Sequence, residues 1–403
     1  MKTDVLVIGA GAAGMAAALS AAKMGASVVL VDRDEILGGI LNQCIHNGFG
    51  LHYFKQELTG PEYAERFLSM INNNKIEVLT DCHVHKLSPD KRAILVSPKG
   101  IFELETKAIV YASGARERPF GALMIPGDRP SGIFTAGVAQ KYVNIENRLI
   151  GKRALILGSG DIGMIMARRL TLEGIEVVAV VERLPYFGGL LRNVIQCLED
   201  YNIPLLLSST ITEVRGKERL SEVVVAQVDE NYKPIPGTEK IFKVDTLVLS
   251  VGLIPQVELL QGMVDFNKNS KGVLCSNIAQ STNEWIFAAG NCTIIYDLVD
   301  YVTMEGEKAG KYAALYAQGE KFDSGIPIEA GENVGVLFPN RYVGLEDLTL
   351  YVRSNKPIEK ATITVGEFEK VFEDIVPSEM IRIVVPRKKI DSFQKLTVSL
   401  REE

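Results

Sequence analysis

The apolar residues of this chain fall into short runs, not long spans. The first, Val-Leu-Val-Ile at 5–8, stops at Gly9. An Ala-rich segment follows to residue 24, and a second run at 28–31 ends on Asp32. A short apolar run closed by glycine predicts a buried strand, and the Ala-rich segment predicts a helix packed on it. The succession returns further on, with a strand before Gly158, a helix at 164–173, a strand at 177–181 and Glu182 at its end. Between the two copies, residues 61–72 predict an amphipathic helix with proline at its start. Short strands are predicted at 76–79, 93–96 and 102–106, and a buried strand at 108–112 that ends in Ser113-Gly114. Pro119, Pro126, Gly127 and Pro130 mark a crossing between domains, and a helix is predicted at 136–143. Residues 223–228 and 245–251 read as a strand pair, and 284–292 contains a buried strand ending at Gly290-Asn291. Residues 304–316 read as a helix with Glu and Lys on one face. Beyond Pro327 strand-like runs dominate, at 335–338, 348–352, 361–365, 380–385 and 396–400.

The glycines between strand and helix carry the chemistry. In the first copy Gly9 turns the chain off the strand, Gly11 lets a pyrophosphate approach the backbone, and Gly14 lets the helix pack on the strand. The N–H groups from Gly11 through Ala12 and Ala13 face an anion at the positive end of the helix. Asp32 stands where a ribose hydroxyl would be bound, with Arg33 next to it. Gly158, Gly160 and Gly163 repeat the spacing, with Asp161 and Ile162 at the helix start and Glu182-Arg183 at the second strand end. Gly14 to Asp32 is 18 positions and Gly163 to Glu182 is 19. Both fit the roughly 20-residue separation of a ribose-binding acid. Two such units predict two bound dinucleotides.

Composition narrows the field. The chain has 403 residues, 47% hydrophobic and 23% charged, as in a globular protein of two or three domains. A net charge of −6 gives no footprint for nucleic acid or an anionic membrane. No apolar run approaches a membrane span, and a first strand so near residue 1 leaves no room for a signal peptide. The five cysteines, at 44, 82, 197, 275 and 292, have no metal-ligand or redox-pair spacing, which fits a reducing cytoplasm and predicts no metal.

Six segments in this order resemble the pyridine nucleotide–disulfide oxidoreductase superfamily, the flavoproteins with two dinucleotide-binding domains. The first glycine turn resembles the FAD site, and Gly38-Gly39 its following Gly-Gly. Ala112-Ser113-Gly114 resembles the family's Ala-Thr-Gly, the second turn the NAD(P) site, Gly252 through Pro255 its Gly-x-x-Pro, and Gly290-Asn291 the Gly-Asp beside the ribityl chain. The resemblance implies an α/β fold with two Rossmann-like domains, the NAD(P) domain (119–264) inserted in the FAD domain (1–118 and 265–326). A small C-terminal β-rich domain (327–403) follows, outside the general pattern. For FAD it implies contacts from Gly9, Gly11, Ala12, Ala13, Gly14, Asp32, Arg33, Gly38, Gly39, Asn42, Val84, Ser113, Gly114, Gly290, Asn291 and Thr303, with Tyr301 to Met304 at the flavin's pyrimidine ring. For NAD(H) it implies Gly158, Gly160, Asp161, Ile162, Gly163, Glu182, Arg183 and Gly252. Glu182 would repel a 2′-phosphate, which favours NADH, whereas Arg183 would favour NADP(H).

Two departures matter. Asn291 replaces the usual Asp, yet an amide still bonds a ribityl hydroxyl. The redox dithiol is missing: the loop after Gly39 holds one cysteine, Cys44. A disulfide reductase needs one thiol to attack and another to resolve, so that route is excluded. Residues 37–54 and 296–300 resemble a narrower group, the NAD/FAD subunits that accompany amine, opine, hydroxy-acid or glycerol-3-phosphate dehydrogenases, and most of all the form accompanying anaerobic glycerol-3-phosphate dehydrogenases. That likeness implies electron exchange with a partner dehydrogenase. Two competing readings are a stand-alone NADH:acceptor reductase or oxidase acting on a small molecule, and a non-catalytic regulatory subunit that holds FAD with an adenine nucleotide. Cys44 and His46, with His52 nearby, are the candidate catalytic side chains. The bland reading makes Cys44 a packed hydrophobe and the histidines backbone-bonded loop residues. Asp297 and Asp300 read as partners of a helix dipole, and the basic run at 386–389 as a solvated turn.

Overall fold

The computed structural model describes residues 1–72 and 74–403. The fold is α/β, with Rossmann-like parallel sheets. The chain divides into two compact units, Met1–Ala115 with Pro255–Glu403, and Arg116–Ile254. The inserted unit thus spans 116–254, where the resemblance implied 119–264.

The first unit begins with β1 (Lys2–Ile8), α1 (Ala12–Lys23) and β2 (Val28–Val31). β1 pairs in parallel with β2, Val5 opposite Val28 and Ile8 opposite Val31. Both strands are almost wholly buried, which explains their unbroken apolar runs. The alanines of α1 let another helix, Val299–Ala317, lie against it in backbone contact. A methyl added at Gly306 or Gly310 would strike the backbone of Ala13 or Ala17.

The segments 102–106 and 108–112 prove to be parts of one strand, Gly100–Tyr111. Its first half pairs antiparallel with Arg92–Ser97, and its second half pairs in parallel with β1 and with Ile286–Ala288. Exposure alternates from Glu103 to Lys107, whereas Ala108 to Tyr111 are all buried, so one strand reads as two.

The second unit repeats the opening with β3 (Arg153–Leu157), α2 (Asp161–Leu172) and β4 (Glu176–Val181). Its parallel sheet runs Ile133–Thr135, Thr246–Leu249, β3, β4, Leu205–Leu206. The expected pairing of 223–228 with 245–251 is corrected. Glu222–Gln227 pairs antiparallel with Ser209–Arg215 and Lys240–Lys243 in a separate sheet, while Thr246–Leu249 joins the parallel one. Apolar runs mark both as strands and carry no pairing information.

The helix expected at 304–316 begins earlier, at Val299, so Asp300 lies inside its first turn. Its Glu305 is not on a solvent face. It is 3% exposed, bonded to the Tyr351 hydroxyl at 3.2 Å and to Lys308 at 2.9 Å. From Ile326 onward two sheets share a core of their own, which includes Leu350, Val352, Ile363, Val365, Val398 and Leu400. Phe338 and Tyr351 point the other way, packing on Tyr296 of the first unit's main core. No helix among the described residues is long and apolar enough to cross a membrane.

Candidate functional site

The two glycine turns are built alike. Gly9 and Gly158 have φ of +97° and +101°, a backbone that a side chain rarely tolerates. A methyl on Gly14 would collide with the carbonyl of Gly9, and one on Gly163 with that of Gly158. Strand and helix are therefore as close as backbone allows. By contrast a methyl on Gly11 or Gly160, the residue capping each helix start, would meet nothing within 4 Å. That open face over the N–H groups of a helix start fits a phosphate.

Each acid is tied back over its own turn. Asp32, 8% exposed, accepts the Ala10 N–H at 2.5 Å and the Asp34 N–H at 2.9 Å. Glu182 accepts the Ser159 N–H at 3.0 Å, the Ser159 hydroxyl at 2.8 Å and the Leu184 N–H at 2.9 Å. Arg33 is exposed, and the Arg183 guanidinium stacks 4.9 Å above the Tyr232 ring.

Further expected residues join the first turn. A methyl on Gly39 would sit 3.3 Å from Gly11, and one on Gly38 would meet Asn42, whose amide donates to the Leu37 carbonyl at 2.9 Å. Gly290 lies against Ala13 and Val302, so the start of the Val299–Ala317 helix borders the turn. Asn291 accepts the Tyr296 N–H at 3.1 Å. The Ser113 hydroxyl donates to the Gln256 carbonyl at 2.6 Å, beside Gly114 at φ +70°. Thr303 is fully buried and shares a 2.7 Å hydrogen bond with Tyr63. Val84 is buried on His83–Ser88, opposite Leu95.

In the second unit Asp161 accepts the Leu190 N–H at 2.8 Å and the Asn193 amide at 2.6 Å. Ile162 is exposed on the helix start, and Gly252, at φ +92°, has open space where a side chain would be. One pair of residues went unnoticed in the sequence. Gly188-Gly189 folds onto the second turn: the Gly188 N–H donates to the Ser159 hydroxyl at 2.9 Å, and a methyl there would sit 3.6 Å from the Gly160 nitrogen. The signal was available, because Gly38 is six positions past Asp32 and Gly188 six past Glu182.

The thiols are quiet. All five cysteines are buried, none is in a disulfide, and burial raises the pKa of each. Cys44 is pushed up to about 12, so the thiolate needed for attack is scarce at neutral pH. The loop holding it is pinned by a close approach of Gly60. His46 bonds the Asn47 carbonyl through Nδ1 at 3.0 Å and packs 5.0 Å from Phe49. Among the described residues no group of His, Cys, Asp and Glu is arranged to hold a metal.

Two strand–turn–helix units with closing acids define a two-dinucleotide-domain oxidoreductase. The chain belongs to the pyridine nucleotide-disulphide oxidoreductase family, whose pattern matches residues 3–313. It is a family that binds FAD and uses NAD(P). The chain is 26% identical over 352 residues to the alpha subunit of sarcosine oxidase from Corynebacterium sp. (strain P-1), covering 82% of this chain and 35% of that protein. It is 29% identical over 338 residues to an opine oxidase subunit from Agrobacterium tumefaciens (strain Ach5), covering 78% of this chain and 65% of the relative. The chain thus spans about a third of the length of the first and just under two thirds of the second. In fold it is similar to T. acidophilum thioredoxin reductase, at a TM-score of 0.65 and 21% identity over 79% of this chain and 99% of that one.

Proposed function

We propose that the first unit holds FAD and the second NAD(H), and that the chain relays electrons between NAD(H) and a partner dehydrogenase. The observation that carries this reading is the doubled turn with its tied-back acid, in a chain none of whose five cysteines is in a disulfide. FAD, when bound, supplies hydride exchange with the nicotinamide and onward electron transfer. The protein's part is to bind and orient. The turn from Gly9 to Gly14 takes the FAD pyrophosphate, Asp32 and Arg33 the ribose, and the Val84 backbone the adenine. Gly38, Gly39, Asn42, Ser113, Gly114, Gly290, Asn291 and Thr303 border the flavin and ribityl chain. Gly158, Gly160, Asp161, Ile162, Gly163 and Gly252, with Gly188 and Gly189 added, take NAD(H).

Glu182 accepts a 2′-hydroxyl and repels a 2′-phosphate, and Arg183 is drawn off onto Tyr232. This favours NADH over NADPH. Both relatives are named as subunits, which supports a partner chain. Buried thiols outside any disulfide suit a reducing compartment such as the cytoplasm.

Anaerobic stopped-flow mixing tests the reading. NADH is expected to bleach the flavin band faster than NADPH at equal, subsaturating concentration, and a dehydrogenase chain is expected to co-purify. Bound flavin that NADH leaves unbleached would favour the regulatory reading. A homomer with high NADH oxidase turnover would favour the stand-alone one.

A further inference from the structure

The ribose end of the second unit is bordered by a hairpin that lies outside the glycine pattern. Strand Glu222–Gln227 continues into Val228, which pairs across to Pro234, and residues 229–233 form the turn. Asp229 builds that turn. Its Oδ1 accepts the N–H groups of Asn231 and Lys233, each at 2.9 Å, and its carbonyl accepts the Tyr232 N–H at 2.9 Å. Tyr232 is thereby held at φ +59°, a left-handed backbone that a bulky side chain rarely adopts. Backbone bonds tie the hairpin to the end of β4. The Ser208 N–H donates to the Leu184 carbonyl at 3.0 Å, the Ser209 N–H to the Glu182 carbonyl at 2.9 Å, and the Val228 N–H to the Ser208 carbonyl at 2.8 Å. The Tyr232 ring comes to lie beside Glu182-Arg183, with the Arg183 guanidinium 4.9 Å from its centroid. Tyr186 joins the same group: burial raises its phenol pKa, and Tyr232 and Glu182 add to the rise.

Glu182 and Arg183 would treat a 2′-phosphate in opposite ways, one by repulsion and the other by charge-assisted hydrogen bonds. The acid is fixed, because its carboxylate accepts the Ser159 N–H and hydroxyl and the Leu184 N–H. The arginine is long and exposed, so its direction is set by what competes for it. A guanidinium over a tyrosine face is held by the negative charge of the ring's quadrupole. We propose that Tyr232 is a specificity-determining residue of the second site: its ring keeps Arg183 off the 2′ position of the adenosine ribose, which leaves Glu182 to select NAD(H) against NADP(H). The inference rests on the reading that the second unit takes NAD(H). It assigns the preference to a residue on another sheet, and not to the acid alone.

The test is calorimetric titration of the flavin-loaded full chain with NAD+ and NADP+. Neither oxidised coenzyme reacts with oxidised flavin, so binding is read without turnover. The wild type is expected to bind NAD+ the more tightly. Tyr232→Ala is expected to move the ratio of the two dissociation constants about two- to fivefold toward NADP+, since the gain is bounded by the stacking that is lost. Tyr232→Phe keeps a ring under the guanidinium and is expected to keep the wild-type ratio. Arg183→Ala, added to Tyr232→Ala, is expected to abolish the gain, and by itself to shift the ratio less than it does there. A ratio unchanged in Tyr232→Ala, a shift of the same size in Tyr232→Phe, or a gain that survives Arg183→Ala overturns the proposal. Equal weakening of both coenzymes in Tyr232→Ala puts the ring against the shared adenosine and overturns it too. A wild type that binds NADP+ the more tightly overturns the proposal while leaving a coenzyme site in place. One that binds neither coenzyme removes the reading beneath it as well, which separates the two failures.

Discussion

Cys44 is the one cysteine of the loop after Gly39, and its surroundings leave it little thiol chemistry. At 5% exposure, with its pKa pushed up to about 12, it is a protonated small hydrophobe at pH 7. Cys44→Ser is expected to leave the flavin spectrum and the rate of reduction by NADH within about twofold. It should cost about 1–3 kcal/mol of stability, because a hydroxyl replaces a thiol in an apolar site. A rate falling tenfold with the fold intact would return Cys44 to the mechanism. The acids show the opposite case, in which position was readable and bonding was not. The spacing placed Asp32 and Glu182 at strand ends. That each reaches back to the residue after the first glycine, Ala10 or Ser159, follows only from how the strands align.

At the scale of the element, the glycines of one turn divide into two kinds. Gly163 is closed against the Gly158 carbonyl, and Gly160 is open. Gly163→Ala is therefore expected to lower stability by about 1–3 kcal/mol through overpacking. Gly160→Ala should leave the melting temperature within about 2 °C and weaken NADH binding about tenfold, because its methyl enters the space a phosphate needs. Calorimetric melting and NADH titration of both variants check this, and equal effects on both quantities in both variants would refute it. The strand–turn–helix units were legible because buried parallel strands are short apolar runs closed by glycine. Strand Phe368–Ile375 was not: it is a largely exposed edge in which Phe368, the pair Val371-Phe372 and Ile375 are separated by charged residues, leaving no apolar run to find. Gly188-Gly189 was hidden by a third cause, since it emerges only when the second repeat is laid over the first beyond its acid.

For the whole molecule, one of the fastenings of the C-terminal strands onto the rest of the first unit is a shielded ion pair. Arg353 donates to the carbonyls of Pro377 and Ser378 and, 3.4 Å away, of Ile295, and pairs with Asp297. Asp297 in turn accepts the Met380 N–H at 2.6 Å. Both side chains are 17% exposed, so the pair is largely shielded from solvent. Arg353→Met takes the guanidinium away from Asp297 and is expected to cost about 3 kcal/mol in denaturant unfolding, against less than about 1 for an exposed pair. The pair was invisible in the sequence because its members lie 56 positions apart. A different consequence follows from strand Gly100–Tyr111, whose last residues are flanked by β1 on one side and Ile286–Ala288 on the other. During synthesis the ribosome must deliver residue 288 before that edge is covered. The contiguous 116–254 segment is complete earlier, so the nascent chain carries an open, apolar strand edge for the time it takes to make the insert.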